Sequence, residues 1–119
     1  MAINLDDVTD QLPEAGAYPQ DDGTVDVILD EPMVRGDNTE IYKVKLLRAP
    51  NAGEINKAGG RAMLLQMYDS AAMKVLPAIT DPPITERIYQ QLSPFDQQNL
   101  IMGVVSFFGK SKRGGMMLG

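Results

Sequence analysis

The chain has 119 residues, 44% of them hydrophobic and 23% charged, with a formal net charge of −5 and no Cys, His or Trp. Without Cys and His there can be no disulfide framework, thiolate or imidazole nucleophile, Ser-His-Asp triad or His- or Cys-ligated metal, which leaves carboxylates, lysines and hydroxyls for any catalysis; since no motif assembles them, no cofactor, metal or catalytic residue is expected. The charge is uneven: residues 1–40 hold eleven acidic side chains against Arg35 alone, and residues 41–119 hold ten basic against five acidic.

The opening Met1-Ala2-Ile3-Asn4-Leu5-Asp6-Asp7 lacks the basic and apolar regions of a secretory signal. The longest apolar run, Leu100 to Phe108, falls far short of the ~20 residues that span a bilayer, so a cytosolic protein with no membrane partner is expected. Residues 1–23 mix Asp, Pro, Gly and Gln with few large apolar groups and read as an acidic, flexible arm. Within it Asn4 could cap a short helix carrying Leu5, Val8 and Leu12 and ending at Pro13, or the same three side chains could simply tether the arm to the core.

Thr24 to Glu31 and Glu40 to Arg48 are strand-like, the second with Tyr42, Val44 and Leu46 alternating against Lys43, Lys45 and Leu47. The turn formers from Pro32 to Thr39 join them into an antiparallel hairpin over residues 24–48. Pro50 stops the second strand, and Asn51 is placed to cap a helix over residues 52–58 that Gly59-Gly60 ends. Arg61 to Leu76 contains no Gly or Pro and predicts one continuous helix, with Leu64, Leu65, Tyr68, Ala72, Val75 and Leu76 on one face. Thr85 caps a helix over 85–92, and Ser93-Pro94-Phe95-Asp96 starts a last helix over 94–108. Residues 109–119 read as a disordered Gly- and Lys-rich tail. The expected architecture is α+β: a small N-terminal antiparallel hairpin followed by three to four helices, in a single domain over residues 24–108.

No motif carries catalysis. Asp21-Asp22-Gly23 lacks the alternating ligands and closing Glu of a calcium loop and reads as a solvated turn. Arg35-Gly36-Asp37 matches a tripeptide that some cell-surface receptors read, but Gly-Asp-Asn is ordinary turn chemistry. Gly59-Gly60-Arg61 lacks the spacing and Lys of a phosphate loop. Lys110, Lys112 and Arg113 are the one basic cluster, so no dedicated nucleic-acid site is expected. The anomaly is surplus apolar helix surface: eight Met, several of them in predicted helices. Core packing would absorb some of these side chains. The remainder makes Met63, Met67, Met73, Phe95, Met102 and Phe107 candidates for a client or self-association surface.

Leu29-Asp30-Glu31-Pro32, Gly36, and Val44-Lys45-Leu46-Leu47-Arg48-Ala49-Pro50-Asn51-Ala52-Gly53-Glu54 resemble the small tail assembly chaperones of contractile-tailed, Mu-like bacteriophages. That pattern has a strand ending in Pro, a turn, a strand ending in Arg-x-Pro, and Ala-Gly-Glu opening a helix. Leu76-Pro77, Thr85, Asp96 and Phe107-Phe108 follow in the family's order, so the resemblance covers roughly residues 25–108. The acidic arm is longer than in the pattern, and Ala49 replaces a common Glu. The resemblance implies a non-enzymatic protein of the host bacterial cytoplasm. It would bind the tape measure protein, prevent its aggregation and promote tail tube assembly, with the tail tube protein as a further partner. It also implies a longer product made by frameshifting near the Gly- and Lys-rich end. A structural tail or baseplate component of the virion is the alternative.

Overall fold

The computed structural model describes residues 13–109, in the order β1 (Gly16–Pro19), β2 (Val25–Val34), β3 (Glu40–Leu46), α1 (Ala52–Lys57), α2 (Arg61–Leu65), α3 (Asp69–Ile79), β4 (Thr80–Asp81), α4 (Glu86–Gln91), α5 (Pro94–Ser106) and a 3-10 turn, Phe107–Gly109. The strands form one antiparallel sheet in the order β1-β2-β3-β4. Period-2 alternation builds its centre: Val25, Val27, Leu29, Val44 and Leu46 are buried while Lys43 is exposed. These five side chains share a core with Ala72, Val75, Leu76 and Ile79 of α3 and Leu100, Ile101 and Val104 of α5. The chain is therefore an α+β domain with helices packed on one antiparallel sheet.

The hairpin is present but longer than expected. β2 continues through Pro32 to Val34, and the loop shrinks to Arg35–Thr39, closed by the Arg35 N–H on the Thr39 carbonyl (2.9 Å) and by Asn38 at φ 68. Pro32 is tolerated because the β2–β3 register shifts between Ile28 and Met33, which frees that stretch from ladder bonds. The exposed backbone of Arg35-Gly36-Asp37 tips the hairpin, with the Thr39 N–H donating to Asp37 Oδ1 (3.0 Å).

Two short strands went unread. β1 lies inside the segment expected to be a flexible arm, and its four residues pair with β2 from Gly16 opposite Ile28 to Pro19 opposite Val25. The arm over residues 1–23 is corrected accordingly: residues 16–19 belong to the sheet. β4 pairs Thr80 and Asp81 with Leu46 and Lys45. Both strands are too short for periodicity to show, and they exist because β2 and β3 offer them edges. Asp21-Asp22-Gly23 is a turn, with Asp22 Oδ1 accepting from the Thr24 N–H (3.0 Å) and hydroxyl (2.6 Å). The helix considered at Asn4 and the segment beyond Gly109 lie outside the described residues. Gly109 itself closes the 3-10 turn.

The continuous helix expected over Arg61 to Leu76 is two helices. Met67 adopts φ 61 between α2 and α3, a left-handed conformation no side-chain pattern signals. The break leaves Leu65 and Tyr68 exposed rather than on the core face, and lets Asp69 open α3 as a first-turn carboxylate. The helix then runs past Pro77 to Ile79. The last helix ends at Ser106 rather than Phe108.

The expected caps are in place. Asn51 and Glu54 form a capping box, Thr85 Oγ1 accepts from the Ile88 N–H (3.2 Å), and Ser93 Oγ accepts from the Asp96 N–H (3.3 Å). Glu54 also receives both arms of the Arg48 guanidinium at 2.8 and 2.9 Å. The Arg-x-Pro-Asn and Ala-Gly-Glu stretch is thus one lock between β3 and α1. The Arg48 hydrogen bonds hold the Glu54 carboxyl down at about 2, against 4.5 for the free group. A folded-state value below the unfolded one gives stability that is full above about pH 4.5 and is lost as pH falls toward 2. The stability gap between wild type and Glu54→Gln should therefore narrow over that window in denaturant titrations. A gap independent of pH would show that the ion pair contributes nothing. Asn51→Ala should cost about 1 kcal/mol at any pH.

Candidate interaction surfaces

Six side chains were singled out as a candidate surface, and the fold divides them. Met63, Met67 and Met73 are half-buried and pack against the core, as does Phe107. The three methionines fill space at the edge of the core, the use to which an unbranched thioether is suited. Phe108, next to Phe107, lies under the Arg61 guanidinium at 5.7 Å from its ring centroid, tying the start of α2 to the 3-10 turn that follows α5.

Phe95 and Met102 behave differently, with 51% and 46% of their surfaces exposed. They are seven residues apart on α5, two helical turns, so they share one face about 10 Å long with exposed Gln98 between them. Leu100 and Val104 are buried on the far side of the helix, and buried Asp96 and Gly103 meet the sheet. A depression of about 350 Å³ lined by Met67, Asp69, Pro94, Gln97, Gln98 and Ile101 adjoins the exposed face. Exposed Leu65 and Tyr68, at the α2–α3 break, add apolar surface that the continuous-helix reading assigned to the core.

Two polar anchors fix α5. Asp96 is fully buried, and its carboxylate accepts the Asp30 N–H (2.7 Å) and the Glu31 N–H (3.1 Å), the donors that the shifted β2–β3 register leaves unpaired. At the other flank, the Tyr89 hydroxyl of α4 donates to Asp69 Oδ1 (2.5 Å), and Gln97 Nε2 donates to the Tyr89 carbonyl (2.7 Å). Burial, then the Asp69 carboxylate, push the Tyr89 phenol well above its usual range, so it remains a donor at any ordinary pH.

A larger cavity of about 470 Å³ lies between the hairpin end and α4. Met33, Val34 and Ile41 supply one wall, Pro82 and Pro83 after β4 a second, and Ile88 and Leu92 the third. Sequence reading assigned Pro32 to Thr39 to a loop and Asp81-Pro82-Pro83 to a turn. Nothing local marks these residues as neighbours; the β3–β4 pairing brings them together.

Among the described residues no group of three or more His, Cys, Asp or Glu side chains is placed to hold a metal ion, and no helix is long and apolar enough to cross a membrane. Comparison with protein-family models, with curated proteins and with solved structures finds no match to this chain.

Proposed function

We propose that the chain is a non-enzymatic tail assembly chaperone of a contractile-tailed bacteriophage, acting in the host bacterial cytoplasm. In this reading it holds apolar helical stretches of the tape measure protein in solution while tail tube subunits assemble around them. The resemblance over residues 25–108 supplies the family. The observation that carries the reading is the solvent-facing pair Phe95 and Met102 on a helix whose other face is anchored by Asp96. A rigid helix presenting two large apolar side chains two turns apart offers a client helix a groove-and-ridge contact without any rearrangement of the fold. Holding another chain calls for apolar contact surface and for neither Cys nor His.

Co-expression with the tape measure protein tests this. Wild type should keep it soluble and co-purify with it. The double variant Phe95→Glu, Met102→Glu should lower soluble recovery at least about fivefold, while its own stability stays within about 0.5 kcal/mol because both side chains are exposed. A tape measure protein that aggregates equally with wild type present, or a double variant that solubilises as well as wild type, would sink the proposal. Stoichiometric presence of the chain in purified virions would instead favour a structural tail or baseplate component.

A further inference from the structure

Phe95 and Met102 alone would accept an apolar helix in either direction and at any register, because burial of apolar surface is non-directional. The depression beside them breaks that symmetry. Of the residues that line it, Asp69 is the one charged side chain. α5 brings no second charge to the surface, since its single ionisable residue, Asp96, is buried and engaged by the Asp30 and Glu31 N–H groups.

The Asp69 carboxylate is exposed, oriented and only half used. Its Oδ1 accepts the Tyr89 hydroxyl (2.5 Å), and the Tyr89 carbonyl in turn accepts from Gln97 Nε2, so the acid is braced against both α4 and α5. Among the described residues no group donates to its Oδ2, and no Lys or Arg lies within ion-pair distance.

Helix geometry places this acid relative to the apolar pair. Pro94, Gln97, Gln98 and Ile101 form a stripe of α5 turned about 90° from Phe95 and Met102, and Gln98 is the edge that stripe and pair share. Met67 and Asp69, at the α2–α3 break, stand across the depression from the stripe. The depression runs from Pro94 to Ile101, the same two turns as the pair. A helix laid along Phe95 and Met102 therefore passes the carboxylate on one flank, between its two apolar contacts.

We propose that Asp69 is a specificity determinant of this surface, taking a Lys or Arg side chain of a partner helix whose apolar side chains, seven residues apart, rest on Phe95 and Met102. The basic residue stands three or four positions after the first apolar one, according to the direction of the partner helix, because those positions lie about 50° to either side of the apolar line. Opposite charge at that point fixes direction and register, which apolar contact leaves open. The inference rests on the reading of the α5 face as a client surface and names the class of helix that face selects.

Nuclear magnetic resonance titration of the full chain with three alanine-based helical peptides tests it. All carry Leu at two positions seven apart; the third and fourth positions after the first Leu are both Lys, both Gln or both Glu. The Lys peptide should bind about fivefold more tightly than the Gln peptide, and the Glu peptide more weakly than either, a preference that shrinks between about 50 and about 500 mM salt. In Asp69→Asn, which keeps an acceptor for the Tyr89 hydroxyl, the three affinities should agree within about twofold. Gln98→Lys is a second variant, on an exposed residue: it places a cation at the depression and should remove the preference with the Tyr89 hydrogen bond intact. Peptides that bind wild type equally, or a Lys preference that survives Asp69→Asn, would overturn the role of Asp69 and leave the client surface standing. Binding of none of the peptides, or binding unaffected by Phe95→Glu, Met102→Glu, would overturn the client surface and this inference with it.

Discussion

Replacing Asp96 with alanine should destabilise the domain by about 3 kcal/mol or more, a fall in Tm of about 15 °C, because a hydrogen bond to a charged group contributes about 1.5–3 kcal/mol and two are lost. The carboxylate is fully buried and takes the place of the β3 partners that Asp30 and Glu31 lack. Asp96→Asn keeps the shape and one acceptor oxygen but turns an N–H donor toward a second donor, so about half the loss should remain. Ser93→Ala serves as the control: it removes only the helix cap and should cost about 1 kcal/mol. Chemical denaturation with an unchanged m-value would report these differences. If Asp96→Ala costs no more than Ser93→Ala, water replaces the carboxylate at the bulge and its bridging role is wrong.

Gly103→Val should be comparably damaging, at about 3 kcal/mol, the upper part of the range for overpacking a filled core. A Cβ at this position would lie 3.1 Å from Leu46 Cδ2, 3.4 Å from Val27 Cγ2 and 3.5 Å from Val25 Cγ1, so two further methyl groups have nowhere to go. Alanine is a different case. Removing glycine from a helix interior gains about 1 kcal/mol of backbone propensity, which offsets a displacement of Leu46 by a few tenths of an ångström, and Gly103→Ala should fall within about 1 kcal/mol of wild type. Leu46→Val, which shortens the side chain in contact, should cost less in the Gly103→Val background than alone. The double-mutant cycle measures this, and additivity would show that the helix and sheet are not in contact there. Glycine at 103 thus sets how closely α5 approaches β2 and β3.

What could be read in the sequence was local chemistry. Asn51 with Glu54, Thr85, and Ser93 with Pro94 announce helix starts within four residues, and each cap forms as expected. Val44 and Leu46 announce β3 by alternation. The features that escaped depend on partners distant in sequence. β1 and β4 are defined by the edges of β2 and β3, and Pro32 sits in a strand because a bulge excuses its missing N–H. Met67 takes a left-handed conformation that helix-forming neighbours conceal, and Asp96 looks like an ordinary first-turn acid until Asp30 and Glu31 are seen beside it. Of the candidate surface, Phe95 and Met102 were legible because they lie off the apolar face of a correctly placed helix. Met63, Met67 and Met73 were not separable from core, since amphipathicity cannot tell a half-buried gap filler from a free contact. The cavity at the hairpin end was invisible, being assembled from the hairpin end, the turn after β4 and α4.

The separation between the β2 bulge and its carboxylate also orders events on the ribosome. Asp96 follows Asp30 by 66 residues, which at about 5–20 residues per second is roughly 3–13 s of synthesis. Throughout that interval the nascent hairpin has neither the anion for its two bare amides nor the α5 side chains that roof Val25, Val27 and Leu46. An isolated hairpin is marginal in water, so commitment to the fold waits for the residues of α5. A ribosome stalled before residue 96 would display an unfinished sheet edge, and pulse proteolysis of stalled chains should find protection arriving in one step once α5 has cleared the exit tunnel.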